Sequence, residues 1–476
     1  MSEVLRSTSP AEPERELGCF AVADAAAVTQ AAARARAAFP AWRDSGFEAR
    51  AEVIRRFRDL AASGVEELAE LIAFEVGKAI WDARGEAKLL PAKVDVSLGA
   101  GMELVAGGEV GGGARASYHP RGVLAVLGPF NFPAHLPNGH IVPALATGNT
   151  VIFKPSELSP AVGAWMARAW EDAGLPPGVL EVVQGGSETG RALADTGDVD
   201  GILFTGSYGV GRALQERTLD QPGKLLALEM GGKNAIVVLE DADLELAVAE
   251  AALSICATSG QRCSCASRLF IAREVMDEFA ERLTRVLRGV RIGHPMEAET
   301  FMGPLVSRAA WDKVQRYRTL AEDAGGERLL LVEPNLPPPY VGPGLVRFAN
   351  AEQRHPYQRD EIFGPEAALY PVGDLEEAIA AVNDSEFGLV AAVFTRDRAR
   401  YERCVGRIRT GLLNWNKGTI GASGKLPFGG LGKSGNDRPA GVSASLYCTF
   451  PQAHLESEAA FDPESLPPGM PAPRDA

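Results

Sequence analysis

The sequence is poor in cysteine and histidine, with six of each in 476 residues. Six cysteines in so long a chain are too few for a disulfide framework, and no C-x-x-C pair indicates zinc or thioredoxin-like chemistry. His135 and His140 are five residues apart, which places them off a common helix face, so we expect no metal site. These absences favour one reactive thiol over a set of structural or metal-binding cysteines.

Positive charge and long apolar runs are also scarce. Lys and Arg number 48 against 62 Asp and Glu, which gives a net charge of −14 and argues against nucleic acid or an anionic membrane surface as the main partner. No run of about 18 apolar residues indicates a membrane span, and the opening MSEVLRSTSPAEPERE has no apolar core of signal-peptide length. We therefore predict a cytoplasmic protein with no membrane contact.

Glycine and alternating apolar segments are abundant instead. The chain has 52 glycines and 46% apolar residues, enough for large cores, and its length corresponds to roughly three compact units. Apolar residues recur every three or four positions from Ala25 to Lys78, which predicts amphipathic helices. From Gly122, short β-rich runs alternate with helical ones, and a second alternation starts at Asn234, so the sequence predicts α/β units with parallel sheets.

Two segments contain candidate catalytic side chains. SGQRCSCAS places Cys263 among small residues that would let a substrate approach its sulfur, although a half-buried structural cysteine remains an alternative. LALEMGGKN places Glu229 at the end of a predicted strand, where partial desolvation would raise its pKa and make it a general base. An ordinary surface glutamate at a strand end is the other interpretation.

Three further segments fit ligand contacts. FTGSYGVGRAL, from strand to helix, could wrap a diphosphate with the backbone of residues 206–211, although it is not the G-x-G-x-x-G fingerprint and an ordinary strand-to-helix turn is the alternative. Asn131 in GPFNFP could donate to an oxyanion or simply form a turn. Lys154 and Glu157 in IFKPSEL could contact a ribose or form a solvated ion pair.

Together these segments resemble the aldehyde dehydrogenase superfamily over about residues 22–457. PFNFP, IFKPSE, FTGS, LEMGGKN, SGQRC, EIFGP and PFGGLGKSG occur in the order of the family, with 34 residues from Glu229 to Cys263 as in the family. The resemblance implies that Cys263 is the nucleophile, Asn131 the oxyanion donor and Glu229 the base that activates water. It also implies contacts with the cofactor NAD at Lys154, Glu157, Gly206, Ser207, Tyr208, Gly209, Val210, Gly211, Glu361 and Phe363.

The resemblance further implies a doubly wound NAD-binding domain, an αβ catalytic domain and a β-arm for a homodimer or homotetramer. Within the arm, ASLYCTF is expected to be an exposed strand for subunit pairing, and no counterpart of the opening strands of the family is recognised near the N-terminus. The expected bounds are 20–112 and 122–232 for the NAD-binding domain, 233–427 for the catalytic domain, 113–121 and 440–457 for the arm, and 1–16 and 459–476 for flexible tails.

The expected substrate is a small aldehyde that is oxidised to a carboxylic acid. HLPNGH, NWNKGTIGAS and GNDRPAG look most like the branch of the superfamily that oxidises N-succinylglutamate 5-semialdehyde in arginine catabolism. That likeness implies that Gly421, Ala422 and Ser423 anchor a substrate carboxylate and that the nearby Lys425 adds positive charge. Oxidation of glutamate 5-semialdehyde in proline catabolism, a broad aliphatic aldehyde dehydrogenase and a cofactor-independent thiol esterase remain alternatives.

Overall fold

The computed structural model describes residues 3–111 and 113–473, and its first element is an antiparallel hairpin. β1 (Val4–Thr8) pairs with β2 (Glu16–Ala21). The buried hydroxyl of Ser7 donates to the carboxylate of Glu75, which also accepts the amides of Ala161 and Val162 at 2.8 Å. The flexible tail predicted for residues 1–16 is therefore wrong where β1 lies. The strand was missed because it is mostly exposed and polar, with no apolar alternation.

The region from Ala25 to Val76 is helical, as its apolar periodicity predicts. In the second of these helices, the buried residues Ile54, Phe57 and Ala61 recur at the helical spacing and pack into the core. Two more helices follow. The five are α1 (Ala25–Asp44), α2 (Phe47–Ser63), α3 (Val65–Val76), α4 (Ile80–Leu98) and α5 (Ala100–Glu103).

The first parallel sheet has five strands in the order β7-β6-β5-β8-β9. Its three central strands are wholly buried, because helices cover both faces. The chain winds outward from β5 in both directions, so the ends of β5 and β8 form a switch point where ligands bind in such folds. The elements are β5 (Val123–Leu127), α6 (His135–Ala146), β6 (Thr150–Lys154), α7 (Pro160–Asp172), β7 (Leu180–Val182), α8 (Ser187–Asp195), β8 (Gly201–Thr205), α9 (Tyr208–Arg217) and β9 (Leu225–Glu229).

The second sheet has seven strands in the order β12-β13-β14-β11-β10-β16-β17, parallel except for the β12 and β13 pair. Its cores lie on both faces, as expected for an α/β unit. The predicted α/β class is confirmed. The elements are β10 (Asn234–Val238), α10 (Leu244–Cys256), β11 (Ala266–Ala272), α11 (Met276–Arg288), α12 (Arg308–Asp323), β12 (Glu327–Leu331), β13 (Gly344–Arg347), α13 (Pro356–Arg359), β14 (Glu366–Val372), α14 (Leu375–Asn383), β15 (Phe387–Gly388), β16 (Val390–Phe394), α15 (Arg398–Glu402) and β17 (Leu412–Trp415).

The remaining strands form short ribbons and a three-stranded antiparallel sheet. β18 (Pro427–Phe428) pairs with β20 (Ala440–Gly441), and β19 (Leu431–Gly432) pairs with β15. The sheet has the order β21-β4-β3 and consists of β3 (Gly108–Gly111), β4 (Ala114–Pro120) and β21 (Thr449–Leu455). Among the residues described, no helix is both long and apolar enough to cross a membrane.

The segment predicted as an exposed strand, ASLYCTF, is instead mostly a buried helix. α16 (Ala444–Cys448) occupies its first five residues, and β21 begins only at Thr449. Ala444, Tyr447 and Cys448 lie three and four residues apart and all pack into the core of the first sheet. Helical spacing of these buried side chains outweighs the β preference of the aromatic and β-branched residues here.

Candidate active site

A cavity of about 770 Å³ lies between the two parallel sheets, at the carboxyl ends of the strands of the first. Cys263, Glu229 and Asn131 all line it, so the structure brings the three predicted catalytic side chains together. The cavity continues past the ends of β6 and β8 to the start of α9. Such a crevice at a switch point is the usual ligand site of an open α/β sheet.

Cys263 follows a tight and strained turn. After α10, residues 257–260 form one 3-10 turn in which Thr258, Ser259 and Gly260 have φ values of 51°, 54° and 74°. At Gly260 a Cβ atom would lie 2.2 Å from the carbonyl carbon of Gly364, so only glycine fits. Left-handed backbone at two residues other than glycine is costly and persists where the surroundings enforce it.

Asp82 on α4 provides that enforcement. Its carboxylate accepts the Thr258 hydroxyl at 2.6 Å and the Arg262 guanidinium at 2.8 Å, and Arg262 also donates to Thr258 at 2.8 Å. Burial opposes ionisation, but the charges of Lys78 and Arg262 lower the pKa of Asp82 below its usual value. The residue is therefore a buried carboxylate that fixes the turn before the nucleophile.

Sequence reasoning missed Asp82, although a signal was present. Asp82 and Glu86 lie four residues apart, which places both charged side chains on one face of α4, and Lys78 just before this helix is buried as well. The Lys78 ammonium donates to Glu86 at 2.6 Å, and the other Glu86 oxygen accepts the amides of Ala134 and His135 at the start of α6. Charges at core positions indicate a buried network that positions a site.

Glu229 ends β9 and faces the cavity as a buried carboxylate. Only 7% of the residue is exposed, and neither of its side-chain oxygens accepts a hydrogen bond from the residues described. Burial, reinforced by the charge of Glu361, raises the pKa of Glu229 to about 8, although the neighbouring Cys263 thiol and Gly231 amide act in the opposite direction. A carboxyl group with this pKa exchanges protons near neutral pH, as a general base must.

Cys263 is not a preformed thiolate in the free protein. Burial of its sulfur, together with the charges of Glu229 and Glu361, raises the pKa of the Cys263 thiol well above its usual value. The sulfur must lose its proton as the substrate reacts, and Glu229 is the titratable group beside it.

Glu361 approaches the site because of a glycine. The Gly232 amide donates to its Oε1 at 2.8 Å, and a Cβ atom on Gly231, which has φ of 80°, would lie 2.3 Å from the same oxygen. Burial raises the pKa of Glu361 to about 7, against the lowering effects of the Gly232 amide and two lysines. Glu361 and Phe363 both line the cavity, as predicted.

Asn131 follows β5 and is tied to the nucleophile loop. Its side-chain amide donates to the carbonyl of Gln261 at 2.8 Å, and the Gln261 side chain accepts the Val306 amide at 3.0 Å. Only 3% of Asn131 is exposed. Because an amide group carries two N–H donors, the second is available to an oxygen bound at the cavity.

The end of β6 brings the two residues predicted to contact a ribose to the cavity. Lys154 and Glu157 both line the cavity, 3.7 Å apart between Nζ and Oε2. Burial lowers the pKa of Lys154, and its ammonium donates to the carbonyls of Pro155 and Gly185 at 2.8 Å each. The Glu157 side chain is about half exposed and faces the open part of the cavity.

The turn into α9 lines the cavity with only part of its predicted residues. Gly206, Ser207, Gly209 and Val210 contact the cavity, and Ser207 caps the helix by accepting the Val210 amide. Tyr208 and Gly211 do not line it. Gly211 packs against Met230, whose sulfur would lie 2.2 Å from a Cβ, and Tyr208 lies beneath the Lys433 ammonium.

The predicted substrate anchor is apart from this cavity. Gly421, Ala422 and Ser423 are exposed in the loop between β17 and β18, and none of them lines the cavity of Cys263. The nearby Lys425 is also exposed. Their predicted role stays a prediction.

The residues present fit a dinucleotide. The cavity is elongated, it meets the N-terminus of α9, whose backbone N–H groups suit a diphosphate, and the open space at Gly186 and Gly209 lets a ligand approach the backbone. Glu157 offers acceptors for ribose hydroxyls at one end, and Cys263 lies at the other. Fold and site together define a thiol-dependent oxidoreductase of the α/β class.

Comparison with known proteins gives the family. The model of the aldehyde dehydrogenase family matches residues 1–451, and the chain belongs to this family, as its motifs predict. The chain is 42% identical over 478 residues to the N-succinylglutamate 5-semialdehyde dehydrogenase of Paraburkholderia xenovorans strain LB400, which covers 97% of both chains. It is 42% identical over 460 residues to the enzyme of that name from Escherichia coli strain ATCC 8739, which covers 94% of this chain and 92% of that one.

Solved structures share the fold over nearly the whole chain. An NAD-dependent aldehyde dehydrogenase from Sinorhizobium meliloti superposes with a TM-score of 0.92 at 30% identity, covering 98% of this chain and 93% of that one. PnpE in complex with nicotinamide adenine dinucleotide superposes with a TM-score of 0.89 at 33% identity, covering 97% and 96%. An NADP-dependent enzyme from E. coli superposes with a TM-score of 0.90 at 30% identity, covering 95% and 94%.

Proposed function

We propose that the protein oxidises N-succinyl-L-glutamate 5-semialdehyde to N-succinyl-L-glutamate with NAD, in arginine catabolism. The observation that carries the reaction is the pair of Cys263 and Glu229 in one cavity, with the buried carboxylate left without a hydrogen bond from the residues described. The names of the relatives at 42% identity support the substrate.

Cys263 performs the first step. The sulfur forms a bond to the aldehyde carbon, and the thiol proton is released to solvent. The carbonyl oxygen becomes an oxyanion that accepts from the Asn131 amide and the backbone N–H of Cys263. Bound NAD supplies the hydride acceptor through which this adduct becomes a thioester.

Hydrolysis of the thioester uses the Glu229 carboxylate. Once Glu229 has released its proton to solvent, it removes a proton from a water molecule, and the water oxygen attacks the thioester carbon. The carbon–sulfur bond then breaks, and the product leaves as a carboxylic acid. The proton that Glu229 took from water passes to the Cys263 thiolate, which restores the thiol. The net reaction consumes one aldehyde, one NAD⁺ and one water, and it releases one acid, one NADH and one proton.

The substrate is tested by comparing kcat/KM with NAD for three aldehydes. N-succinylglutamate 5-semialdehyde is expected to exceed both glutamate 5-semialdehyde and butanal. A preference for glutamate 5-semialdehyde would assign the enzyme to proline catabolism, and equal values would make it a broad aliphatic aldehyde dehydrogenase. Ester hydrolysis by Cys263 without any aldehyde-dependent rise in NADH absorbance would make it a thiol esterase.

Glu157 supports NAD over NADP. Its half-exposed carboxylate faces the cavity where a ribose diol would donate to it, and the same charge would repel a 2′-phosphate. Initial rates at equal cofactor concentration are expected to be higher with NAD. Equal rates with NADP would contradict this assignment.

We also propose a homodimer or homotetramer joined through the sheet of β3, β4 and β21. Phe450 and Leu455 on β21 are exposed apolar side chains, and covering them would stabilise a pair of subunits. Light scattering after size exclusion is expected to give a multiple of 50.4 kDa. A species of 50.4 kDa alone would contradict the assembly.

A further inference from the structure

Lys93 is a buried lysine with no acidic partner. It lies on α4, only 5% of the residue is exposed, and its one hydrogen bond among the described residues goes to the carbonyl of Gly441 at 2.6 Å. No carboxylate oxygen of the described residues lies within 4.0 Å of its ammonium. A buried charge without a counter-ion is costly, so a lysine in this place points to an anion that is supplied from outside the chain.

The groups around Lys93 do not supply the missing negative charge. Burial and then the charge of Lys93 lower the pKa of His135 to about 4 and that of His140 to about 3, so both imidazoles are neutral at pH 7. Burial also raises the pKa of the neighbouring Cys448 thiol above its usual range, which keeps it protonated. The region therefore has an excess of positive charge.

An unpartnered polar atom lies at the same place. The Nδ1 atom of His135 is buried and has no hydrogen-bond partner among the residues described. A neutral imidazole has one N–H donor and one acceptor, so His135 can donate to an anion when the proton is on the free nitrogen. The charge of Lys93 acts on His135, so two groups that can donate to an anion lie in one region of the protein.

A face of α6 connects these groups with the active site. His135, Leu136 and Gly139 are the positions of this helix that are not buried, and Leu136 lines the cavity of Cys263. Gly139 follows Leu136 by three residues, so the two share that face. A Cβ atom on Gly139 would meet only the Cε of Lys93, at 3.8 Å, so the stem of Lys93 lies beside this face, next to the residues that line the cavity of Cys263 rather than among them.

Gly139 makes this helix less stable than alanine would at the same position. Glycine inside a helix is less favourable than alanine, and here the backbone does not require it, because Gly139 has no positive φ. Because Gly139 has no side chain, there is open space beside Lys93.

We propose that Lys93, with His135 and across Gly139, forms a subsite for a carboxylate of the aldehyde substrate. The proposal deepens the proposed function and rests on it, because it makes the substrate an aldehyde that carries a carboxylate away from the reacting carbon. N-succinylglutamate 5-semialdehyde carries two carboxylates, which is one more than glutamate 5-semialdehyde and two more than a neutral aldehyde.

Lys93 also connects to the predicted anchor loop. The carbonyl that it binds belongs to Gly441 on β20, and β20 pairs with β18, which follows the loop of Gly421, Ala422 and Ser423. One lysine thus lies between the face of α6 and the base of that loop. The two sites together suit the two carboxylates of a dicarboxylic aldehyde.

The test is the variant Lys93→Met, assayed with NAD on N-succinylglutamate 5-semialdehyde and on butanal. For the dicarboxylic aldehyde, kcat/KM is expected to fall about 10- to 100-fold, mainly through KM, since a hydrogen bond to a charged group is lost. For butanal it is expected to change by less than about threefold, because butanal has no carboxylate to lose. Lys93→Arg is expected to restore part of the difference.

Lys88→Met is the matched control. It removes the same charge from an exposed position of the same helix, so it separates the subsite from a general loss of positive charge. Equal losses on both aldehydes in Lys93→Met would overturn the proposal and assign Lys93 to holding Gly441 only. An equal effect of Lys88→Met would also overturn it.

Gly139→Leu gives an independent reading should Lys93→Met not fold. Its side chain would occupy the space beside Lys93, so KM for the dicarboxylic aldehyde is expected to rise while that for butanal rises less. A larger rise for butanal would overturn the subsite. Wild-type enzyme that oxidises no aldehyde with NAD would instead refute the proposed function, whereas wild-type turnover without selective loss in the variants refutes the subsite alone.

Discussion

The two ends of the proposed substrate site contain buried groups of opposite type, carboxyl groups near the Cys263 sulfur and a lysine at the far end. At the sulfur end, burial raises the pKa values of Glu229 to about 8 and of Glu361 to about 7. At the other end, burial lowers the pKa of Lys93 to about 8, and no carboxylate lies beside it among the residues described. Burial thus disfavours the charged form at both ends. Glu361 has two lysines nearby, whereas Lys93 has no oppositely charged neighbour among the residues described, so its end is arranged for a group that arrives with the ligand.

The difference explains how one substrate can be oriented. A carboxylate near Glu229 and Glu361 would meet like charge whenever either group is ionised, whereas the same carboxylate near Lys93 would meet opposite charge. An aldehyde with distant carboxylates is therefore expected to enter with its uncharged carbonyl toward Cys263. Substitutions at Cys263, Glu229 and Glu361 test the sulfur end, and a substitution at Lys93 tests the other end.

The largest expected effect comes from removing the sulfur. Cys263→Ala should lower aldehyde oxidation by about 10⁴-fold or more, because no other group can form the covalent adduct. NADH absorbance measures the loss, and binding of NAD by calorimetry should be retained. Cys265→Ala is the matched control, since this neighbouring thiol is buried and contacts the carbonyl of Ala257. A Cys263→Ala enzyme with substantial turnover would exclude the mechanism.

Glu229→Gln should affect hydrolysis more than the first hydride transfer. Loss of a general base slows its step by about 10²- to 10⁴-fold, so stopped-flow absorbance should show a burst of NADH followed by slow turnover. A steady rate without a burst, at wild-type speed, would mean that another group activates the water.

The pH dependence of kcat should follow the ionisation of Glu229. Hydrolysis needs ionised Glu229, and because the pKa of Glu229 is about 8 its rate should rise from pH 7 to 9 and then level off. Glu361→Gln removes a negative charge that raises this pKa, so the rise should move to lower pH when kcat is measured at saturating NAD. A shift to higher pH would contradict the electrostatic role of Glu361.

The smallest expected effect is a change in the free energy of unfolding caused by a substitution at Lys93. Lys93→Met should raise the free energy of unfolding by about 1–3 kcal/mol at pH 7, since an unpaired buried charge is replaced by an apolar side chain. The pKa of Lys93 is about 8 in the folded protein and higher in the unfolded chain. Above pH 8 the folded protein therefore loses this proton first, and the free energy of unfolding of the wild type rises. The advantage of the variant in urea unfolding should shrink accordingly, and a variant less stable at pH 7 would point to a dominant role of the Gly441 contact.

The sequence predicted the candidate catalytic residues better than it predicted the buried residues that surround them. Cys263 and Glu229 lie in ordered family motifs, and the βαβ alternation predicted the parallel sheets, because buried strands and amphipathic helices leave strong local patterns. Asp82 and Lys93 were missed since their roles depend on contacts with residues more than 150 positions away, at Arg262 and Gly441. The buried helix of Ala444–Cys448 was predicted as a strand because local preference did not show what it packs against.

The central claim is that Cys263 carries the acyl group and Glu229 activates the water that removes it. The direct test is mass spectrometry of Glu229→Gln mixed with NAD and N-succinylglutamate 5-semialdehyde. The intact protein is expected to gain the mass of the succinylglutamyl acyl group, and peptide mapping is expected to place that group on Cys263. The double variant Glu229→Gln with Cys263→Ala should gain nothing. An acyl group on another residue, or NADH formation with no acyl-enzyme at any time, would contradict this claim.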